Sequence, residues 1–363
     1  MLLIINYLIT RFADGSPFGA GIQRLHKPNA MYDFIPQSLD LTLMQLDNRA
    51  ARFRKVKHPG ELASLIQTDV ALLAKFAAKP YYQIFSVPKP GGSQRIIHNP
   101  HPDLKYIQQN LNLYLQAAYY SIKPPCAYGF IPRPSDEPRP RNIYTNALVH
   151  AGSGWVLNLD LKDFFHTVTS LHLKWVFEDL FAYPEPVVKQ LIALFTYKGV
   201  LPMGAPTSPV LSNLATLPLD ADLQAFAARH NALYTRYVDD LTFSLDERPD
   251  MDFTNQIREM VEKSGFTLNE SKITLKPKHE YPEVTGLILK TPKPDVSKKF
   301  LKRLKKDIEL YLNLTSPFMI QRGLFQPGFV DKLKKSIQGQ LQFLSFIRGR
   351  QDKEYQRLAE MAG

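Results

Sequence analysis

The sequence predicts an α+β protein with more than one lobe. Short runs in which apolar and polar residues alternate, as they do in strands, occur at 155–161 and 233–244. Longer stretches with apolar residues three or four positions apart, as in helices, occur at 61–79, 103–120 and 253–263. A chain of 363 residues is long for one compact core, so we expect these elements to divide between two or three lobes.

Composition and charge restrict the class of partner. The hydrophobic content of 44% and the charged content of 22% are typical of a soluble globular protein. The formal net charge of +11 predicts a polyanionic partner. The apolar start at 1–9 is too short to span a bilayer, so we expect nucleic acid and no membrane. The single cysteine, Cys126, excludes an intrachain disulfide and a cysteine-rich zinc site, and it indicates a cytoplasmic location.

The first predicted elements are a helix and a hairpin. The helix covers 61–79 and ends at Pro80. The segment 81–100 predicts two strands joined by a Gly-Gly turn. Lys89 and Arg95 flank this turn, where both could reach one anion. The alternative is an ordinary hairpin with two solvated cations.

A proline- and arginine-rich stretch separates the second helix, 103–120, from the first acidic strand. This stretch, 131–142, predicts a surface loop or insertion biased toward polyproline II geometry. Alternation within 155–161 then separates two faces of a strand, of which the apolar one carries Leu157, Leu159 and Leu161. Asp160 is therefore expected on the polar face, near the end of the strand.

The segment 233–244 predicts two strands that meet at a carboxylate pair. Their apolar face is expected to carry Leu233, Thr235, Tyr237, Leu241 and Phe243. Asp239 and Asp240 would then lie at the tip of a tight hairpin. Two carboxylates this close repel each other unless a cation lies between them, and Mg²⁺ is the hard, oxygen-ligated ion that fits. A solvated Asp-Asp turn is the alternative for an isolated pair.

A broken helix and a stretch of small residues lie between the two acidic segments. The helical pattern of 171–195 is interrupted at Pro184 and Pro186. Gly204 and its small neighbours let the backbone approach a nucleotide or a template closely. A further helix is predicted over 209–223.

The end of the chain is basic and helical. Residues 295–363 hold 14 Lys and Arg against 7 Asp and Glu. Much of this charge crowds one predicted helix, on Lys298, Lys299, Lys302, Arg303, Lys305 and Lys306. The apolar stripe of the helix is expected to be Leu301, Leu304, Ile308 and Leu312. A charge run is usually a solvated face, but a one-sided run here predicts contact with a phosphate backbone.

These motifs, in this order, resemble those of reverse transcriptases. The resemblance rests on the hairpin at 81–100, Asp160, the small residues at 199–209 and Tyr-Val-Asp-Asp at 237–240. It implies a right-hand polymerase fold with fingers, a palm whose antiparallel sheet is backed by helices, and a helical thumb. The implied boundaries are 1–150 for the N-terminal region and fingers, 151–290 for the palm with further fingers elements at about 170–205, and 295–363 for the thumb.

The same resemblance implies roles for residues at the catalytic centre. Asp160, Asp239, Asp240 and the main chain of Leu161 would hold two Mg²⁺ ions for nucleotidyl transfer. Lys272 would protonate the leaving pyrophosphate, with a free surface lysine as the alternative.

The resemblance also implies a site for the incoming deoxynucleoside triphosphate. Lys89 and Arg95 would grip its phosphates. Phe165 would exclude a 2′-OH, with a core aromatic as the alternative. Met203 and Gly204 would line the site. Many relatives carry glutamine in place of Met203, and methionine cannot make the polar contact of glutamine to the sugar.

Finer features resemble the retron branch of the family: Asn146 with His150, the segment 204–209, and Val-Thr-Gly at 284–286. Such enzymes are similar in using a structured noncoding RNA as primer and template. They start from a 2′-OH, and they commonly act in phage defence with an effector protein. The expected RNA contacts are Asn146, His150, Lys298, Lys302, Arg303, Lys305 and Lys306.

Two other interpretations stay open. A group II intron maturase would normally carry a longer C-terminal extension. A non-catalytic RNA-binding scaffold would share the palm but has no need of Asp160, Asp239 and Asp240 together. A viral RNA polymerase is disfavoured by Phe165 and by Val238 in the hairpin.

Overall fold

The computed structural model describes residues 38–39, 41–88, 94–138, 140–321 and 327–363. The apolar start, Lys89 and the Gly-Gly turn lie outside these ranges. The strands are β1 (Ser38–Leu39), β2 (Tyr82–Pro88), β3 (Gln94–Pro100), β4 (Arg133–Pro134), β5 (Trp155–Asp160), β6 (Leu233–Tyr237), β7 (Asp240–Leu245), β8 (Thr274–Pro277), β9 (Glu283–Val284) and β10 (Leu287–Ile288).

Helices pack around these strands and form the C-terminal part. They are α1 (Leu43–Arg54), α2 (Pro59–Leu65), α3 (Val70–Ala78), α4 (Pro102–Tyr120), α5 (Ile143–Val149), α6 (Phe164–Thr167), α7 (Ser170–Lys174), α8 (Glu185–Phe195), α9 (Ser208–Ala215), α10 (Leu217–Arg229), α11 (Met251–Lys263), α12 (Lys298–Leu314), α13 (Pro317–Gln321), α14 (Pro327–Arg348) and α15 (Lys353–Ala362). A π-helical turn covers Trp175–Leu180, and 3₁₀ turns cover Glu270–Lys272 and Lys278–Glu280. Among the helices of the described ranges, none has the length and apolarity needed to cross a bilayer.

A four-stranded antiparallel sheet forms the centre of the molecule. Its strand order is β6-β7-β5-β8, so β5 and β7 lie side by side in the interior of the sheet. Both faces of β7 are covered, since Leu241 and Phe243 on one face are fully buried and Thr242 and Ser244 on the other are nearly so. This sheet, with helices packed against it, confirms the predicted α+β class.

Strand β6 differs from its predicted pattern. Leu233, expected on the apolar face, is 46% exposed, whereas Tyr234 and Arg236 are buried. The reason is a partner that the strand pattern does not contain. Arg236 pairs with Asp220 of α10, and a buried carboxylate makes an inward-facing arginine tolerable.

The hairpin of β2 and β3 has the predicted antiparallel form. Tyr82 lies opposite Pro100 at one end of the ladder, and Pro88 lies opposite Gln94 at the other. Helix α4 follows directly, as predicted. The pattern at 171–195 is interrupted before α8, also as predicted, and the π-helical turn lies in the first part.

Two stretches predicted as single helices are each divided. In 61–79, Gln67 has a φ of 53°, and Asp69 starts a new helix because its side chain accepts a hydrogen bond from the amide of Ala71. In 209–223, the break falls at Thr216, just before Pro218. Proline lacks the N–H that would continue the earlier helix.

The end of the proline-rich stretch is fixed to the body of the protein. The guanidinium Nη1 of Arg141 donates to the carbonyls of Pro124, Pro125 and Ala127, at 2.9, 2.8 and 2.7 Å. The predicted surface loop is therefore held against the body of the protein at this end of 131–142.

Buried apolar residues form two cores. The larger core joins α1–α4, the central sheet and α6–α11. The smaller core joins the C-terminal helices to Ala147 of α5, Val156 of β5 and the β9–β10 hairpin, which contributes Val284 and Leu287. Helix α5 and strand β5 therefore link the C-terminal helices to the rest of the molecule.

Helix α12 buries most of its predicted stripe. Leu304 and Ile308 are fully buried, and Leu301 packs at the edge of the smaller core. Leu312 is 45% exposed, and Tyr311 packs in its place. The prediction for Leu312 is wrong because a helix with 3.6 residues per turn brings position 311 closer to the buried stripe.

Candidate active site

The three predicted catalytic aspartates meet at one end of the central sheet. The register of β5 and β7 puts Asp160 directly opposite Asp240. Cross-strand neighbours of this kind have Cβ atoms about 5 Å apart. Asp239 precedes Asp240 in the turn after β6, and its carbonyl accepts a hydrogen bond from the amide of Leu161 at 2.9 Å. Carboxylates from two distant parts of the chain thus form one cluster.

Crowding and burial disfavour negative charge in this cluster. Burial raises the pKa of the Asp239 carboxyl, and the nearby charge of Asp160 raises it further. Burial and the charges of Asp239 and Asp160 raise the pKa of Asp240 to about 7. A cation between these groups would reverse the effect and hold them ionised.

Asp160 has two partners on the segment that leads into β8. The Nζ of Lys272 lies 2.6 Å from Oδ2, and the side-chain amide of Asn269 donates to Oδ1 at 3.3 Å. The backbone amide of Asn269 also donates to the carbonyl of Asp160 at 2.8 Å. Burial alone would lower the pKa of Lys272, but its bond to Asp160 and the three negative charges raise it.

The donor chemistry of the cluster suits a hard divalent cation. Carboxylate oxygens are the ligands such ions prefer. In the conformation described, Asp160 faces Lys272, and within the described ranges no three His, Cys, Asp or Glu side chains are grouped so that they could hold a metal ion. A bound ion would therefore take an oxygen of Asp160 from Lys272.

The sequence profile of the reverse transcriptases (RNA-dependent DNA polymerases) matches residues 87–289, more than half of the chain. The chain belongs to the reverse transcriptase family. The central sheet is accordingly the palm of an RNA-directed DNA polymerase, in line with the fold that the motifs implied. Enzymes of this family generally depend on a divalent metal.

Relatives of this reverse transcriptase come from bacterial retrons. It is 30% identical over 261 residues to the retron Ec86 reverse transcriptase of Escherichia coli, covering 69% of this chain and 76% of that protein. It is 35% identical over 233 residues to the retron Mx65 reverse transcriptase of Myxococcus xanthus, covering 58% and 52%. It is also 30% identical over 293 residues to the retron Mx162 reverse transcriptase of Myxococcus xanthus, and this alignment covers 71% of this chain and 58% of that protein. The alignments thus span little more than half the length of the two myxobacterial relatives, and the similarities identify a reverse transcriptase of the retron type.

Arg95 of strand β3 approaches the carboxylates of this reverse transcriptase from the hairpin. Burial lowers the pKa of the Arg95 guanidinium, and the negative charge of Asp239 opposes that shift. The two groups therefore attract each other electrostatically. The Nε of Arg95 is buried and has no hydrogen-bond partner among the described residues. It is therefore a donor that no described residue satisfies. Lys89, its predicted companion, lies outside the described residues.

Phe165, the predicted sugar-gate residue, is half-buried on α6. Its ring centroid lies 5.8 Å from that of Phe164 in the core and 6.4 Å from that of the exposed Phe130. Part of the ring therefore remains open to a ligand.

Met203 and Gly204 join the palm to the hairpin. The carbonyl of Met203 accepts a hydrogen bond from the amide of His98 at 2.7 Å. Gly204 is exposed with a φ of 114°, and a Cβ there would lie 3.0 Å from the carbonyl oxygen of His98. Glycine is therefore required at this close approach.

Asn146 and His150, predicted to contact RNA, are both buried. The ring of His150 is hydrogen-bonded at Nδ1 to Ser244 and at Nε2 to Thr235, each at 2.7 Å. Burial lowers the pKa of His150 to about 3, so the ring is neutral. The structure thus gives His150 an internal role in place of the RNA contact. Asn146 is also inaccessible, and its amide has no partner among the described residues.

The Val-Thr-Gly motif forms the turn between β9 and β10. Thr285 has a φ of 48°, and its hydroxyl donates to the carbonyl of Ile143 at the start of α5 at 3.0 Å. Helix α5 also carries Asn146 and leads into His150. The Val-Thr-Gly motif is therefore in contact with the helix that carries Asn146.

The predicted RNA-binding cations of α12 are exposed. They are Lys298, Lys302, Arg303, Lys305 and Lys306. Arg303 and Lys305 lie 3.8 Å from carboxylates one turn along the helix, an arrangement that leaves both side chains about half exposed. These cations lie on the surface, apart from the catalytic cluster.

Sequence reasoning missed two residues near the carboxylates. Asn269 lies three residues before Lys272, but its residue type gives no sign that it would contact Asp160. Strand alternation gives no sign of the role of Arg236, because it assigns an arginine to solvent. The fold supplies Asp220 from the preceding helix.

Proposed function

We propose that Asp160, Asp239 and Asp240 carry out nucleotidyl transfer in this reverse transcriptase, extending DNA on an RNA template. The observation that supports this most directly is the register of β5 and β7, which sets Asp160 opposite Asp240 with Asp239 adjacent. The raised pKa values of Asp239 and Asp240 are those expected of carboxylates that need a cation to stay ionised.

Two Mg²⁺ ions, held by these carboxylates and the carbonyl of Leu161, would activate the primer hydroxyl and stabilise the charge of the leaving pyrophosphate. In the conformation described, the ammonium of Lys272 is bonded to Asp160, and 57% of the Lys272 side chain is exposed. Its proton is therefore accessible to a leaving group at the site, as the predicted acid role requires.

The deoxynucleoside triphosphate would bind between the hairpin and the palm. The guanidinium of Arg95, whose Nε has no partner among the described residues, would bind the phosphates, with Lys89 as its companion. Phe165 would lie against the sugar, where its ring leaves no room for a 2′-OH. Gly204 lets the backbone lie close to the ligand.

Three lobes divide these tasks in our proposal. Residues 1–150 provide the N-terminal region and fingers, 151–290 the palm with further fingers elements near 170–205, and 295–363 the thumb. The exposed cations of α12 in the thumb would hold the phosphates of a structured noncoding RNA that serves as primer and template. Synthesis from a 2′-OH of that RNA would give a branched RNA–DNA product, and an effector protein would link it to phage defence.

Primer extension on a structured RNA tests the catalytic assignment. Asp239→Asn keeps the volume of the side chain but removes the charge, so we expect DNA synthesis to fall below about 1% of wild type while RNA binding persists. Asp246→Asn is the matched control, because it makes the same change at an exposed residue just after β7, at the end of the strand away from Asp240. Wild-type extension by Asp239→Asn would rule out Asp239 as a catalytic carboxylate. Sequencing of the RNA–DNA junction tests the branched product separately.

A further inference from the structure

A fully buried ion pair lies beneath the turn that carries Asp239. The Nε and Nη2 atoms of Arg236 donate to the two oxygens of Asp220 at 2.8 and 2.6 Å. Both side chains are 0% exposed. The hydroxyl of Tyr234 donates to the same carboxylate at 3.0 Å. This two-point geometry uses the planar fork of the guanidinium and fixes its orientation.

The remaining nitrogen of Arg236 reaches the catalytic turn itself. Nη1 donates to the carbonyl of Val238 at 3.1 Å and to the side-chain oxygen of Asn213 at 2.9 Å. The amide of Asn213 in turn donates to the carbonyl of Gly129 at 2.9 Å. One guanidinium therefore connects α9, α10 and the backbone between β6 and β7.

Val238 is the residue of the turn that most needs this support. Its φ of 63° lies in the left-handed region, which β-branched residues rarely adopt, at a cost on the order of 1–3 kcal/mol. Gly129 closes the other side, since a Cβ there would lie 2.5 Å from Cγ2 of Val238. The turn keeps its shape because its surroundings hold it, and the next two residues are Asp239 and Asp240.

Stability alone does not account for such a pair. Apolar residues of similar volume usually stabilise a core as well as a buried ion pair does. What an apolar pair cannot supply is a donor aimed at the carbonyl of Val238. We propose that Arg236, anchored by Asp220, is a positioning residue that fixes the left-handed turn at Val238 and thereby sets the two carboxylates that follow. This inference rests on the proposed catalytic role of Asp239 and Asp240.

Arg236→Lys tests the proposal because it keeps the charge but loses the fork. We expect kcat for nucleotide addition to fall at least tenfold, with the KM for nucleotide and the Kd for RNA within twofold of wild type. The affinity of the protein alone for Mn²⁺, measured by electron paramagnetic resonance of the free ion, should weaken at least fivefold. Tyr234→Phe is the matched control, since it removes a hydrogen bond to Asp220 that does not reach the turn. For Tyr234→Phe, we expect kcat, the KM for nucleotide, the Kd for RNA and the affinity for Mn²⁺ to stay within twofold of wild type.

Asn213→Ala provides a second test if Arg236→Lys does not fold. It frees Nη1 from one of its two acceptors, and we expect a smaller loss of Mn²⁺ affinity and kcat in the same direction. Folded variants of Arg236 or Asn213 with wild-type Mn²⁺ affinity and kcat would overturn the inference and leave the pair as a core contact. Asp239→Asn, assayed alongside, separates the two levels. If Asp239→Asn is active, the proposed function is contradicted. If Asp239→Asn is inactive while Arg236→Lys keeps the kcat and Mn²⁺ affinity of wild type, only the positioning role is contradicted.

Discussion

Among single residues, Phe165 gives the most specific expectation about substrate choice. Its ring is half-buried and borders Phe130 at the surface. Phe165→Ala opens space beside the 2′-carbon, so we expect the ratio of ribonucleotide to deoxynucleotide incorporation to rise at least tenfold, equivalent to about 1.4 kcal/mol. The measurement is kcat/KM for each nucleotide on the same primer and template.

Phe130→Ala is the control for this prediction, because it removes the exposed neighbour of the ring and leaves the ring itself. Its incorporation ratio should match wild type. An unchanged ratio in Phe165→Ala would mean that Phe165 is a core aromatic and that selectivity resides elsewhere, with Met203 as the next candidate.

Residue type identified part of the site in advance, and contacts formed by folding supplied the rest. Asp239 and Asp240 are recognisable because the other motifs of the family, including Asp160, occur in order along the same chain. Asn269 is not recognisable in this way. Its contact with Asp160 joins positions 109 residues apart, and no periodic pattern encodes such a pairing.

Among the elements, α12 has the clearest link between its sequence pattern and a function. Its buried stripe faces the smaller core, and its cations face solvent. Lys298, Lys302 and Lys305 are spaced at helical intervals, so they can follow one nucleic acid strand. Replacing all three with Ala should weaken binding of a structured RNA. It should also flatten the dependence of log K on log salt concentration by about one unit for each phosphate that is no longer neutralised.

The experiment compares RNA affinity at several salt concentrations. The control triple variant replaces Lys55, Lys57 and Lys79 with Ala, which removes the same charge from exposed positions near α1–α3. The change in slope should be larger for the α12 variant than for the control variant. If its slope and affinity equal those of wild type, the α12 cations form a solvated face.

Two element boundaries show what local pattern cannot decide. The apolar spacing of 61–79 and of 209–223 continues across breaks at Gln67 and Thr216. Asp69 and Pro218 are ordinary signals for the start of a helix. The apolar spacing on both sides nevertheless predicts one continuous helix in each stretch. In β6, the alternation rule failed because it assigns polar residues to solvent, and Arg236 finds its carboxylate in the interior.

For the molecule as a whole, the link between the two cores lies at α5. This helix contributes Ala147 to the smaller core, and His150 at its end is hydrogen-bonded to β6 and β7 of the palm. The histidine is fully buried, so its protonation state affects the stability of the whole fold. A neutral ring satisfies both hydroxyl partners, whereas a charged ring would be desolvated without a counter-charge.

This arrangement predicts a loss of stability in mild acid. Burial lowers the pKa of His150 from 6.5 to about 3 on folding. Between these values the unfolded chain binds more protons than the folded one, so the contribution of His150 to the free energy of unfolding is complete above about pH 6.5 and decreases as the pH falls. From about pH 7 to about pH 5 we expect His150 alone to lower that free energy by about 2 kcal/mol.

Denaturant unfolding at these two pH values measures this contribution by difference, because the carboxylates titrate alike in each variant. His150→Gln keeps a donor and an acceptor but removes the titration, so its loss of stability between the two pH values should be about 2 kcal/mol smaller than that of wild type. His279→Gln, at an exposed position, should lose as much stability as wild type. Equal losses in wild type and His150→Gln would mean that His150 meets water or a counter-charge, and that the link at α5 is looser than its two hydrogen bonds indicate.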